Sequence, residues 1–356
     1  MENNKPIEII CCIALHDVKV YDHLLPIAKH PLISKIWVIR VEEQKHKEIP
    51  GVEYVVIPHK FKIIRLIDML LTSISLGKRP EIKAFISFNP IPYGLIAFIA
   101  AKLNKKPVHL GFIGSDWNIH CKGLFGGIYK ALFRHADFIT TTGSNMKKEM
   151  VSEGFRKDKI AILPHSIDLN HFKLTTTNEK KYAGIFIGNL IPLKNIDIIL
   201  SAFKLVLKKY PEKHFCIIGD GPLMNKLKDQ LKGFPLTDNI EFTGQVKNVQ
   251  PYIENSRSVI IASTTEGFPF VLVEAICSGV IPISTPVGTI PEILTDNENA
   301  LFFKTGDPDE LAEKIILLIE NNNLYNKLKE NVIALRENFS FQSATDTWDP
   351  WLKKFH

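Results

Sequence analysis

Short apolar runs alternate with longer stretches of helical period along most of the chain. Runs near residues 7–15, 35–41, 53–57, 84–88, 108–113, 137–142 and 160–163 are rich in Ile, Val and Phe, which predicts buried strands. Between them, apolar residues recur at helical spacing near 22–30, 60–76, 92–104, 123–135 and 145–153. Strands joined through helix-length connections form parallel sheets with right-handed crossovers. The pattern breaks at residues 164–173 and in the polar run 175–181, which reads as an interdomain linker. It then resumes with strands near 182–188, 213–218, 239–243, 258–262, 280–284 and 300–303. Helices are predicted near 195–209, 221–232, 246–254, 270–278, 307–321 and 323–337. The expected organisation is α/β: a doubly wound domain over 1–170, a second over 171–340, and a terminal segment over 341–356.

Length supports that division, since 356 residues exceed one typical core. Hydrophobic content of 45% and charged content of 23% are those of a globular protein. The five cysteines (11, 12, 121, 216 and 277) show no CxxC spacing, so they read as buried, reduced thiols in a cytoplasmic protein. The run Ile9 to Leu15 follows Glu8 and has no small-residue cleavage site after it, so it reads as a strand and not as a secretory leader. The longest uncharged apolar stretch, Ile91 to Ala101, falls far short of the roughly 20 residues that a membrane-spanning helix needs.

Charge is uneven. Residues 1–175 hold 25 Lys and Arg against 16 Asp and Glu, while 176–356 hold 19 against 22. A basic first half suits an anionic partner: a lipid headgroup surface, a lipid-phosphate acceptor or an acidic glycan. The alternative is a solvated Lys-rich face. Peripheral contact with the inner face of a membrane, through that basic half, is one expectation. In His59 to Arg79, Lys62, Arg65, Asp68 and Thr72 form one polar stripe on an otherwise apolar helix. Such a helix is expected to lie buried in a core, with membrane contact as the other reading. The segment Lys122 to Arg134 mixes glycines, aromatics and cations, as an interfacial helix does.

The most informative stretch runs from Ser263 to Gly279. Glu266 and Glu274 flank a Gly-Phe-Pro turn, Gly267, Phe268 and Pro269, between an apolar strand and a helix predicted to start near Pro269. Proline suits a first helical turn, where its missing N–H would be unpaired anyway. The amides of Phe270, Val271 and Leu272 are then expected to point outward, an anion site at a strand's carboxyl edge. Acids beside such a site suggest a sugar nucleotide, its phosphates on the amides and its hydroxyls on the carboxylates.

The whole string, with the loop Pro286 to Glu292 after it, resembles the signature of retaining GT-B glycosyltransferases of the family-4 group (glycosyl transferases group 1). The resemblance implies two Rossmann-like domains facing a cleft, closure of one over the other, and a last segment that crosses back onto the first domain. Trp348 and Trp351 would then be packing residues. It also implies a diphosphate clamp in the loop Ile187 to Asn195, where Lys194 matches the family's lysine beside Gly188, and Asn189 stands where the family has arginine. Gln245 and Val246 match the loop over the nucleotide base. Asp220, in a Gly-Asp-Gly-Pro turn, is expected to cap the helix that follows. Asp307 and Asp309 look like a metal-binding Asp-x-Asp, but with Glu310 they read as a capping box, and no metal is expected.

In the first domain, Ser115 and Asp116 match the family's acceptor-side turn, but Ile113 replaces its histidine. His109 and His120 are nearby, each more simply an ordinary strand or loop histidine. The glycine-rich loop that the family has after its first strand is absent, and His16 and Asp17 occupy that place. The implied reaction moves a sugar, with retention, from a nucleotide diphosphate sugar (a UDP-sugar by expectation) to a hydroxyl of a glycan or lipid-linked acceptor in surface-glycan or glycoconjugate synthesis. Glu266, Asp116 and Lys194 are the catalytic candidates, with Glu274 holding ribose or sugar. A nucleotide-sugar epimerase of the same fold and a non-catalytic nucleotide-sugar-binding subunit are the competing readings.

Overall fold

The structure is a computed structural model that describes residues 6–43, 47–113, 116–163, 165–174 and 179–355. The chain forms two compact units, Met1–Ser166 with Phe341–His356, and Ile167–Ser340.

The first unit runs β1 (Ile7–Cys12), α1 (Asp17–Ala28), β2 (Ile33–Arg40), β3 (Val52–Val56), α2 (Lys62–Gly77) and β4 (Ile82–Ser87). It continues through α3 (Leu95–Leu103), β5 (Val108–Phe112), α4 (Gly126–Phe133), β6 (Phe138–Thr141), α5 (Ser144–Ser152) and β7 (Ile160–Ile162). Its seven-stranded sheet has the order β3-β2-β1-β4-β5-β6-β7 and is parallel throughout. One face packs on α2 to α5 through Met69, Ala97, Phe133 and Met150. The other packs on α1 through Leu24 and on the terminal helix Phe341–Leu352. On that helix Trp348 and Trp351 are almost fully buried, and Thr345 Oγ1 donates to the Pro26 carbonyl at 2.9 Å. Both tryptophans are packing residues.

The second unit runs β8 (Gly184–Ile187), α6 (Ile196–Lys209), β9 (Phe215–Ile218), α7 (Met224–Asp229), β10 (Ile240–Gly244), α8 (Gln250–Glu254) and β11 (Ser258–Ile261). Then come α9 (Phe270–Cys277), β12 (Ile281–Ser284), α10 (Ile290–Ile293), β13 (Leu301–Phe302), α11 (Pro308–Glu320) and α12 (Asn322–Ala334). Its six strands, in the order β10-β9-β8-β11-β12-β13, are again all parallel. Both units are doubly wound. Parallel strands covered on both faces are apolar throughout, which is why the short Ile- and Val-rich runs mark them.

Three expectations need correction. The helix expected from residue 22 begins at Asp17, where an acid in the first turn complements the helix dipole and Val20, Leu24 and Ile27 set the buried stripe. The stretch read as a linker is packed in part: Ile167 and Phe172 lie in the second unit's core. The Arg336 guanidinium ties this stretch down by donating to the carbonyls of Leu169 at 2.6 Å and Phe172 at 3.1 Å. Third, α2 is not buried over its apolar circumference. Met69 faces the core, but Ile63, Ile64, Ile67 and Leu71 are exposed.

Candidate functional site

In each sheet the strand order reverses once, between β1 and β4 and between β8 and β11. Crevices outside the carboxyl ends of such strands are where open α/β sheets bind ligands. Lys194 lies in the loop leaving β8 and Glu266 in the loop leaving β11. They meet: Lys194 Nζ donates to Glu266 Oε1 at 2.5 Å, with the carboxylate about nine-tenths buried and the lysine about a quarter exposed.

Several polar contacts hold this pair. Ser263 Oγ donates to the same Glu266 oxygen at 2.6 Å, and Thr285 Oγ1 donates to the Ser263 carbonyl at 2.7 Å. Asn195 adopts a left-handed backbone (φ 48°), and its side chain donates to the Ala262 carbonyl at 2.9 Å. The Thr264 amide donates to the Leu193 carbonyl at 3.0 Å. The two loops are thus joined at three levels. Ser263 and Asn195 lie in the motifs singled out but carry no expected role there, and neither does Thr285, because short polar residues at strand ends are common. Gly288 completes the frame: at φ +61° a Cβ on it would fall 1.9 Å from the Glu266 carbonyl oxygen. Gly288→Ala is expected to cost about 2–4 kcal/mol, from left-handed strain and overpacking together. Urea unfolding of the variant measures that loss.

Helix α9, Phe270–Cys277, falls where the pattern near 270–278 predicts it, with Pro269 just before its first turn rather than in it. Pro269 is its N-cap, with extended backbone (φ −78°, ψ 112°), and Phe270 is the first helical residue. The Leu272 amide donates to the Pro269 carbonyl at 3.0 Å, so it is not the outward-pointing donor expected. A tight first turn explains this, since the N-cap carbonyl accepts the third amide in 3₁₀ fashion. The amides of Phe270 and Val271 open the first turn, at the positive end of the helix dipole. Gly267, also in this loop, is exposed, and its carbonyl accepts from Thr289 Oγ1 at 2.8 Å. Phe268 lies edge-on to Phe270 at 6.1 Å. Glu274 is half-buried, one turn into the helix.

A second set of residues lines a pocket of about 200 Å³: Gly188 and Asn189 after β8, Asp220 after β9, and Gln245 and Val246 after β10. Backbone bonds bring these loops together, from the Gly188 amide to the Ile218 carbonyl, Leu190 to Asp220, and Gly219 to Gly244. Gly219 permits the approach, because a Cβ there (φ +130°) would lie 2.0 Å from the Gly188 carbonyl oxygen. Four residues singled out in the sequence, Gly188, Asn189, Gln245 and Val246, therefore share one concavity. Asp220 does not cap α7. Its carboxylate accepts from the adjacent Gly221 amide at 2.7 Å, and α7 has no side-chain cap. Asp307 does cap α11, accepting from the Glu310 amide at 3.0 Å, and Glu310 accepts from the Lys304 amide at 2.7 Å.

In the first unit, Asp116 opens a π-helical turn, Asp116–Cys121. It is buried, its Oδ2 has no hydrogen-bond partner among the described residues, and burial pushes its carboxyl pKa up. Ser115 lies outside the described residues. Asp17 is an ion-pair partner of the buried Arg40 at 2.8 Å, whereas His16 is exposed at the N-cap of α1. His109 is fully buried, with Nε2 2.9 Å from Thr140 Oγ1, and is a core histidine. His120 is exposed.

Residues 168–334, most of the second unit, match the family described as "Glycosyl transferases group 1". Across 296 residues, 81% of this chain and 81% of its relative, the sequence is 27% identical to an uncharacterized glycosyltransferase of Methanocaldococcus jannaschii. It is 26% identical over 274 residues, 76% of this chain and 74% of the other, to an alpha-1,4-N-acetyl-D-galactosaminyltransferase of Campylobacter jejuni named for a PP-undecaprenol-linked glycan. Anabaena HepE, solved in complex with UDP, superposes with a TM-score of 0.81 at 16% identity, covering 98% of this chain and 100% of that one. The fold is GT-B: two Rossmann-like parallel-sheet units.

Proposed function

We propose that the protein is a retaining glycosyltransferase that moves a sugar from a UDP-sugar to a hydroxyl of a glycan or lipid-linked acceptor in surface-glycan or glycoconjugate synthesis. The observation that carries this is the Lys194–Glu266 pair at the switch point of the second sheet. The diphosphate lies on Lys194 and on the amides of Phe270 and Val271. The nucleotide enters the pocket of Gly188, Asn189, Gln245 and Val246, and Glu266 and Glu274 accept from sugar and ribose hydroxyls. The donor's C1–O bond breaks as the acceptor oxygen bonds to C1. The acceptor's proton passes to the departing phosphate oxygen, leaving UDP. Asp116 is the candidate for holding the acceptor hydroxyl, with His16, Asp17 and Ser115 as further acceptor contacts. The relatives support the reading by their names, and the HepE complexes with UDP and with UDP-glucose support the choice of donor.

No step assigns charge to a metal, because a lysine and a helix N-terminus offset the charge that builds on the leaving group. Transfer is expected to survive EDTA, and loss of turnover on chelation would contradict this assignment. Asn189, exposed where a second cation would strengthen the clamp, favours a nucleotide-sugar-binding subunit as the second reading. One incubation with a panel of nucleotide sugars tests all of this. Slow release of free sugar and UDP supports the transferase, epimer formation supports an epimerase, and a thermal shift without turnover supports mere binding.

A further inference from the structure

We propose that the helical layer of α2, α3 and α4 in the first unit docks on a bilayer surface rich in anionic lipid. The inference goes beyond the sugar chemistry and does not depend on it. Helix α2 has two apolar arcs. One reaches the core through Met69. The other, with Ile63 75%, Ile67 51% and Leu71 58% exposed, sits one turn apart along the helix and meets solvent. The approach to α4 repeats the feature, with Leu124 94% and Phe125 60% exposed, followed by Ile128 on the helix itself. Single exposed apolar residues are ordinary, but their concentration on one layer marks an interaction surface.

Charge selects the partner. Residues 59–135 contain twelve Lys and Arg against three acids, Asp68, Glu81 and Asp116. Asp68 is engaged by His59 at 2.5 Å, and Asp116 is buried. Between α3 and α4 lies a groove of about 690 Å³ with Phe98 and Leu132 beside Lys102, Arg134, Arg156 and Lys159. Lys102 donates to the His135 carbonyl and Lys159 to the Ala136 carbonyl, each at 2.9 Å. These bonds fix the ammonium groups and leave each with N–H donors to spare. The acids within reach are Asp137, 3.4 Å from Lys102, and Asp158, paired with Arg156. Apolar side chains rimmed by cations suit acyl chains beneath phosphate headgroups. A second copy of the chain would bring the same basic layer against itself, which is electrostatically unfavourable.

Co-sedimentation of the full chain tests this, with mixed phosphatidylglycerol–phosphatidylcholine vesicles compared with phosphatidylcholine alone. Binding to the anionic vesicles only, weakened by salt, is expected. Ile67→Ser with Leu71→Ser should lower vesicle affinity about tenfold or more. Lys102→Gln with Lys159→Gln should lower it about thirtyfold, at roughly fivefold per charge. All four positions are at the surface, and unchanged circular dichroism will show that both variants are folded. Inorganic phosphate stabilising the parent, without any vesicle binding, would reassign the groove to a free anion and overturn the proposal. Equal binding to both vesicle types, variants that bind like the parent, or a dimer abolished by the serine pair in sedimentation velocity would also overturn it.

Discussion

Lys194→Ala should lower kcat for sugar transfer by about 10²–10³-fold with a much smaller change in the donor KM. The asymmetry follows from where charge develops. The diphosphate is already anionic in the bound donor, and it gains further charge as the C1–O bond lengthens, so the cation contributes most in the transition state. Glu266 couples to this effect through its 2.5 Å contact with Lys194. Glu266→Ala removes both the lysine's anchor and a hydroxyl acceptor, and a loss of similar size is expected. Glu266→Gln keeps an acceptor for the Ser263 hydroxyl, bonded at 2.6 Å, and should retain more activity than the alanine variant. Because the two residues act as a unit, the double variant should be barely slower than either single one, so the losses will not add. Transfer by Lys194→Ala at the parental rate would remove this site from the chemistry.

Much of this site was legible because its determinants are local. A strand, a Gly-Phe-Pro turn and a helix start are contiguous from residue 258 to 277, and contiguity lets the chain alone place Glu266 beside a helix N-terminus. The pairing with Lys194 joins residues from different strands, and here the resemblance, not periodicity, brought the lysine in. What stayed illegible depends on contacts between loops. The Leu272 amide is lost to the Pro269 carbonyl through the geometry of one turn. Asp220 turns to its neighbour's amide rather than to a helix. Asn195 takes a positive φ and its side chain bonds to the Ala262 carbonyl across the switch point, a pairing between loops far apart in sequence. Helix α2 teaches the same point on a larger scale. A hydrophobic arc on a helix predicts that something apolar covers it, but the pattern does not say whether the cover is the protein's own sheet. Met69 found the sheet, whereas Ile63, Ile67 and Leu71 did not.

Acid should unfold the first unit well before ordinary carboxylate titration would, because that unit buries histidines in neutral form. His23 stacks on Phe88 at 4.7 Å, and His109 lies 4.8 Å from the Trp348 ring. Burial pushes both pKa values down to about 3, with a smaller push from Lys19 on His23 and from His23 on His109. His165 is pushed down as well, first by burial and then by His23 and Lys19. Unfolded histidine takes up its proton near pH 6.5. Between about pH 6.5 and 3 the unfolded chain therefore binds protons that the folded chain refuses. Stability is fully present above this window and falls as pH drops through it, by about 1.4 kcal/mol per pH unit for each histidine. For His23 and His109 alone, the loss by pH 5 comes to about 4 kcal/mol, against a total stability on the order of 5–15 kcal/mol. Asp116 acts in the opposite sense, since its raised pKa makes the folded state the better proton acceptor as pH falls, but it is one group against three. The four tryptophans, at positions 37, 117, 348 and 351, all belong to this unit, so their fluorescence reports its unfolding selectively. Urea midpoints read by that fluorescence should fall steeply from pH 7 to pH 5. In His109→Gln, where an amide can still pair with Thr140 but takes up no proton, the drop should shrink by about 2 kcal/mol. Equal midpoints at the two pH values would mean that these rings already carry protons in the folded core, which their burial among Phe88, Phe138, Trp348 and Trp351 makes costly.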